Sequence, residues 1–424
     1  MPPPPPRAPL TVVLSVACVA LCLGAGNTFL TRVLITALPC ASSCAAAGAP
    51  AGSRVAFNKP VFSALVAFCA MASSALYYVA RALMGARQAR GGEELDDGDD
   101  GGIQLLAPPA SAADTATTAA AAPPPTSARP LLTRYRPLAL PALLDVAATV
   151  LQAAAALFIP GAVNAALRGS VLAFTAGANA LLGVRDASAG AREWRALALC
   201  IAGVTIVGLS AVLGGGGAAD APASGGWPVL LGVALALASN VVQATQVALE
   251  TRLLEGAVYE PVEANAAEGV LGALACLALL ALAQAAPVGS DGSGHVEDSA
   301  QTACCLAATP AIAGAAAALF ALFAGSTVAH LMLSQLRGSL FRAVVLTSRG
   351  VIVWGMEAAA FAASGGALGS GWQAWSPLEL GGFALLVAGG VLQFRAQSER
   401  EAAEREDEAV GESTVKEGGS GAEG

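Results

Sequence analysis

The sequence predicts an all-α, polytopic membrane protein with ten transmembrane helices, on three observations. Hydrophobic residues make up 55% of the 424-residue chain and charged residues 12%, with a mean hydropathy of +0.64; a soluble domain carries roughly 25% charged. Apolar runs of the length needed to cross a bilayer recur from end to end. Lys and Arg fall between those runs in strict alternation. Only a helix satisfies its own backbone hydrogen bonds in lipid, and about 20 residues of helix span the hydrocarbon core.

The runs are Leu10 to Leu38, Pro60 to Leu83, Pro137 to Ile159, Gly161 to Gly183 and Arg195 to Leu213, then, after a Gly-rich break, Trp227 to Leu254, Ala266 to Ala286, Leu306 to Ser334, Phe341 to Ala363 and Pro377 to Phe394. Ile159-Pro160-Gly161 leaves almost no loop between the third and fourth, and the seventh begins in a polar stretch. With a cytosolic N-terminus, the inside segments hold Arg7; Arg81, Arg87, Arg90, Arg129, Arg134 and Arg136; Arg185, Arg192 and Arg195; Arg252; Arg337 and Arg342; Arg395, Arg400, Arg405 and Lys416. That is seventeen cations, against Arg54 and Lys59 outside. This positive-inside bias places both termini in the cytosol and requires an even number of spans. Arg7 followed by Leu10 to Leu23 imitates a secretory signal, but the apolar stretch runs on past Asn27 to Leu38, beyond the roughly 7–15 residues such a signal uses.

Five segments follow. Residues 1–83 carry the first two spans. Residues 84–136 form a cytosolic linker that opens on an acid run (Glu93, Glu94, Asp96, Asp97, Asp99, Asp100) and closes on Ala/Thr/Pro tracts including Pro123-Pro124-Pro125; such a composition buries too little apolar area to offset its ordering entropy, and nothing resembling a calcium loop accompanies the acids. Residues 137–213 hold spans three to five, 227–397 a second set of five, and 398–424 a charged cytosolic tail, helical for about two turns. The net charge of −8 and pI near 4.9 argue against nucleic-acid binding, which needs a basic footprint.

Arg168-Gly169 in the fourth span and Arg349-Gly350 in the ninth each open an apolar run, and each run precedes a Gly-rich span. The two sets therefore read as copies of one unit. Five helices per copy is odd, so the second copy sits inverted, the architecture of secondary transporters with a site at the bilayer midplane.

Polar side chains lie where lipid is expected. In the fourth span Gly161, Ala165, Gly169, Ala173 and Gly177 form a small-residue stripe for close helix approach, and Asn164, Arg168, Thr175 and Asn179 form a second stripe. A lipid-facing Arg costs about 2.5–3.5 kcal/mol, so Arg168 faces the interior, either in a hydrated cavity or paired with Asp145 of the third span. The sixth span adds Asn240, Gln243, Gln246 and Glu250, the seventh Glu268, the eighth Ser326, Thr327, His330 and Ser334, and the ninth Arg342 and Arg349 seven apart with Glu357 nearby. The first span has Asn27 and Thr28 at its midpoint. Singly, each is interhelical glue; together they read as the wall of one wet cavity with both signs of charge, suited to a polar or anionic solute.

These residues resemble a known pattern. Pro141 to Asp145 (Pro-Ala-Leu-Leu-Asp), Leu167 to Thr175 (Leu-Arg-Gly-Ser-Val-Leu-Ala-Phe-Thr), Trp194, Glu250 six residues before Gly256, Glu268-Gly269, and Phe341 to Arg349 resemble the drug/metabolite transporter superfamily (EamA-like). Within it they are most similar to subfamily F of solute carrier family 35, near the nucleotide-sugar and chloroquine-resistance-type transporters. The resemblance covers about residues 10–395 apart from the linker. It implies two inverted five-helix repeats, alternating access around a central cavity, and residence in an endomembrane (Golgi, lysosomal or vacuolar). It carries Asp145, Arg168, Glu250, Glu268, Arg349 and Asn27 over as site positions. Relatives often place a Lys before the ninth span, where this chain has Gln335 and Arg337.

Cys40 and Cys44 in the first outside loop and Cys304-Cys305 before the eighth span face an oxidising lumen, so one or two disulfides between these loops are expected. Without an accompanying His they do not form a metal site, His295 being Gly-flanked. Asp145 is the single Asp inside a span and no Walker-type phosphate loop is present, which argues against an intramembrane aspartyl protease, an enzyme generally and ATP-driven pumping. No cofactor is expected. The partners are a polar solute, the bilayer and protons. The alternative is a non-transporting receptor or adaptor, or a membrane-embedded enzyme.

Overall fold

The computed structural model describes residues 9–36, 38, 40, 44, 57, 59–80, 84, 128–156, 167–184, 190–213, 227–255, 259–285, 297–366 and 371–419. Among these the regular structure is helical and no strand occurs. The helices are α1 (Leu10–Thr36), α2 (Pro60–Ala72), α3 (Ala128–Ala156), α4 (Val171–Leu182), α5 (Ala191–Leu213), α6 (Trp227–Glu255), α7 (Pro261–Ala285), α8 (Ser299–Ala308), α9 (Pro310–Ala363) and α10 (Ser376–Gly419). Six of them (α1, α2 with its extension to Ala80, α6, α7, α9 and α10) are long and apolar enough to cross a membrane by length and composition.

Burial runs opposite to that of a soluble protein. Leu76, Leu143, Leu230, Leu274 and Leu282 are more than half exposed, while Thr175, Asn240, Glu250 and Glu268 are sealed inside. Apolar side chains outside and ionisable ones inside suit a lipid solvent.

Helix boundaries differ from the hydropathy reading in instructive places. α9 runs for 54 residues through two predicted spans, roughly 80 Å of helix against a hydrocarbon core of about 30 Å. The break falls at Gly338 (φ 81°, ψ 174°), backbone that only glycine adopts freely, so one residue does the work of a loop. The predicted eighth span, begun at Leu306, starts instead at Pro310: Thr309 is extended, and α8 before it is a separate short helix capped by Asp298, whose Oδ1 accepts from the Ala300 and Gln301 amides. Cys304 and Cys305 therefore sit on a helix, not in a loop. α3 begins at Ala128, taking the last nine residues assigned to the linker, and α7 begins at Pro261, five residues ahead of Ala266. α10 continues through the tail to Gly419. The acid run, Leu105-Leu106, Pro123-Pro124-Pro125, Ile159-Pro160-Gly161, the Gly-rich break and His295 lie outside the described residues.

α5 packs on α10, α1 on α9, α3 on α6 and α7, α2 on α7 and the first half of α9, and α4 on α6 and α9. Glycine sets two of these crossings. A Cβ on Gly203 of α5 would meet the Gly382 carbonyl oxygen of α10 at 2.6 Å and the Leu386 amide nitrogen at 2.7 Å, and one on Gly269 of α7 would meet the Ala72 amide nitrogen at 2.1 Å. Backbones in direct contact are the product of small residues at helix interfaces.

The fourth-span stripe is only partly realised. Gly161 and Ala165 lie outside the described residues, and a Cβ on Gly177 would meet nothing within 4 Å. Gly169 does pack tightly, against Val204, but from a turn at Gly169–Ser170 and not from a continuous helix.

Candidate functional site

α6 places Gln246 and Glu250 one turn apart, and Gln246 Nε2 donates to Glu250 Oε1 at 2.6 Å. The other carboxylate oxygen pairs with Arg342 from the second half of α9. Arg342 Nη1 also donates to Ser334 Oγ at 3.2 Å, back across the Gly338 break. Glu268 of α7 lies against Glu250, its Oε1 buried without a hydrogen-bond partner. Asp145 of α3 is within electrostatic reach of both Glu250 and Arg342. Four helices thus deliver three carboxyl groups around one guanidinium.

A second group lies next to it. Arg349 of α9 and Arg168, on the short helical stretch before the Gly169–Ser170 turn, are within electrostatic reach of each other. Neither makes a hydrogen bond or ion pair among the described residues, so the pairing of Arg168 with Asp145 is not what the fold builds. His330 of α9 bridges the two groups, near Arg342 on one side and Arg349 on the other. Its Nδ1 lies 2.6 Å from the Ser326 carbonyl oxygen, and its Nε2 is buried without a partner. Gly24 of α1 faces this point: a Cβ there would come to 3.3 Å from His330 Cε1 and 3.7 Å from Arg349 Cδ. Asn27, one turn further along α1, is buried with Nδ2 3.5 Å from Ser326 Oγ.

Other expected wall residues are committed elsewhere. Asn240 donates to the Leu167 carbonyl at 2.6 Å and reaches Ser170 Oγ at 3.1 Å. It adds a side-chain donor to a carbonyl that already accepts from the Ser170 amide and hydroxyl, tying α6 to the turn before α4. Asn265 does the same at the Ser73–Ser74 turn after α2, donating to the Met71 carbonyl and Ser74 Oγ. Asn179 Oδ1 accepts from Ser339 Oγ at 2.9 Å, tying α4 to the start of the second half of α9. Thr175 is fully buried with Oγ1 unpartnered, and Gln243 is half-buried. Asn164 lies outside the described residues. Arg342 and Arg349, read as one face, have opposite situations: one is neutralised, the other is not.

The opposite end from the start of α1 is covered by a cross-linked cap. Cys40 is bonded to Cys305 and Cys44 to Cys304. Beneath them buried Lys59 donates to Gln301 Oε1 at 2.7 Å, and Glu297 accepts from the Val61 and Phe62 amides at 2.9 Å, capping α2 from a distant segment. The sequence places Lys59 in an outside segment and does not single out Glu297 or Gln301; the Asp298-Ser-Ala-Gln capping signal is the available clue to this cap.

Fold and composition together define an all-helical protein with membrane-type helices and ionisable groups in its interior. No family model matches the chain, and no curated protein matches it.

Proposed function

We propose that this chain is a secondary transporter or exchanger that moves a polar, anionic organic metabolite across an endomembrane by alternating access. It would cross the bilayer ten times, in two inverted five-helix repeats with both termini cytosolic. It would stand with the drug/metabolite transporter superfamily and subfamily F of solute carrier family 35, as the sequence motifs suggest. The observation that carries the reading is the Arg168–Arg349 pair: two arginines within electrostatic reach of each other, neither with an ion pair among the described residues. Such an arrangement is expensive unless an anion visits it.

The packing supports the repeat reading. Exchanging the first five predicted spans for the second five turns the α1 contact with the first half of α9 into the α6 contact with α3. It turns α2 against the first half of α9 into α7 against α3. It leaves α2–α7, α5–α10 and α4 with the second half of α9 unchanged. In that scheme the same exchange maps Arg168-Gly169 onto Arg349-Gly350, so the two arginines would flank the pseudo-two-fold axis, where a transporter of this kind binds its solute. In this scheme Arg168 and Arg349 hold the anionic group, Gln243 supplies an amide, and the Asp145, Glu250 and Glu268 cluster exchanges a proton with the solute cycle. Arg168→Ala, in proteoliposomes loaded for counter-flow, abolishes saturable uptake while the protein remains monodisperse and helical. Unchanged uptake kinetics refute the proposal.

A further inference from the structure

We infer that the site between Arg168 and Arg349 selects an organic dianion bearing a hydroxyl or ammonium donor beside its charge, with His330 Nε2 as the atom that accepts from that donor. This deepens the transporter reading and rests on it.

The argument starts at His330. A carbonyl oxygen only accepts, so the 2.6 Å contact with Ser326 puts a proton on Nδ1. The charged groups facing the ring are Arg342 and Arg349, both cationic. Arg342 is neutralised by Glu250, but Arg349 has no ion pair among the described residues, so a second ring proton would set two uncompensated positive charges together, and Nε2 presents a lone pair. That lone pair is buried without a partner on a side chain 5% exposed, a costly state unless something fills it. Gly24 keeps the space beside it clear: a methyl at that position would sit 3.3 Å from the ring and 3.8 Å from Arg349 Nη1. The two guanidiniums supply two charges and forked donors, matching a dianion. An acceptor set beside paired anion-binding donors demands a ligand with both features together.

The test uses ligand pairs differing by one hydroxyl: L-malate against succinate for a carboxylate source, and glycerol 3-phosphate against n-propyl phosphate for a phosphate source. Binding is measured calorimetrically on the full chain in nanodiscs. The hydroxylated member of at least one pair binds about tenfold tighter, the worth of one well-made hydrogen bond in a buried site. His330→Phe reduces that ratio to near one while retaining the deoxy ligand, and Arg349→Gln weakens both members together. Gly24→Ala, which crowds the His330 ring at Cε1 and Arg349 Nη1 without touching their chemistry, lowers the ratio independently should the phenylalanine variant not fold. Equal affinities within both pairs, or a ratio that survives His330→Phe, overturn the inference and leave the arginine site standing. Absence of binding by all four, with normal flux in Arg168→Ala, overturns the inference and the transporter reading alike.

Discussion

Replacing Glu250 with Gln tests whether the interior is organised by charge. The Glu250 side chain is 2% exposed and that of Arg342 11%, so the pair is shielded from water on nearly every side. With the carboxylate gone, Arg342 loses its ion pair and keeps one direct bond, 3.2 Å to Ser334, with Asp145 and Glu268 in electrostatic reach but making no ion pair to it among the described residues. Removing one member of a buried pair costs about 3–5 kcal/mol, because the other is left as an uncompensated charge. Arg342→Met is at least as damaging, since Asp145, Glu250 and Glu268 then face one another with no cation among them. The double variant Glu250→Gln/Arg342→Met recovers at least about half of the summed loss, as removal of a whole buried pair is close to neutral. Unfolding in SDS mixed micelles, followed by far-ultraviolet circular dichroism, reads all three. Single losses below about 1 kcal/mol, or a double variant equal to the sum of the singles, refute the reasoning.

Gly203→Ala forces α5 off the α10 backbone and costs about 1–3 kcal/mol in the same titration, whereas Gly177→Ala, with open space around its Cβ, leaves stability unchanged or slightly raised. Glu297→Ala removes both distant acceptors from the start of α2, and faster amide exchange at Val61 and Phe62 reports it. Cys44→Ser alone has little effect on thermal stability because Cys40–Cys305 still closes nearly the same ring. Loss of both bridges opens it and costs up to about 5 kcal/mol.

The helices were legible because twenty apolar residues in a row have few other uses. Their ends were not: Pro310 and Pro261 start helices inside or ahead of the apolar runs, where a proline at the first turn outweighs hydropathy. The break at Gly338 falls inside the 335–340 gap that hydropathy leaves between the eighth and ninth spans, but hydropathy does not show that a single glycine makes it with helix on both sides. At the site, residue type pointed to Glu250 and Glu268, both of which the fold buries, but partners came from chain positions 92 residues apart for Glu250 and Arg342. No local spacing could say which arginine was neutralised. Asn240 shows the same gap, since its partner, the Leu167 carbonyl in the turn before α4, lies 73 residues away in the chain.

The cap has a consequence for how the chain is made. Cys40 and Cys44 precede their partners by 265 and 260 residues, so they emerge when most of the polypeptide is still unmade. Four positions apart, they are each other's nearest thiols during that interval, and a bridge between them would have to be reopened by exchange once Cys304 and Cys305 arrive. Where that early bridge forms, maturation needs thiol exchange as well as oxidation, and the yield from an expression host then follows its isomerase capacity.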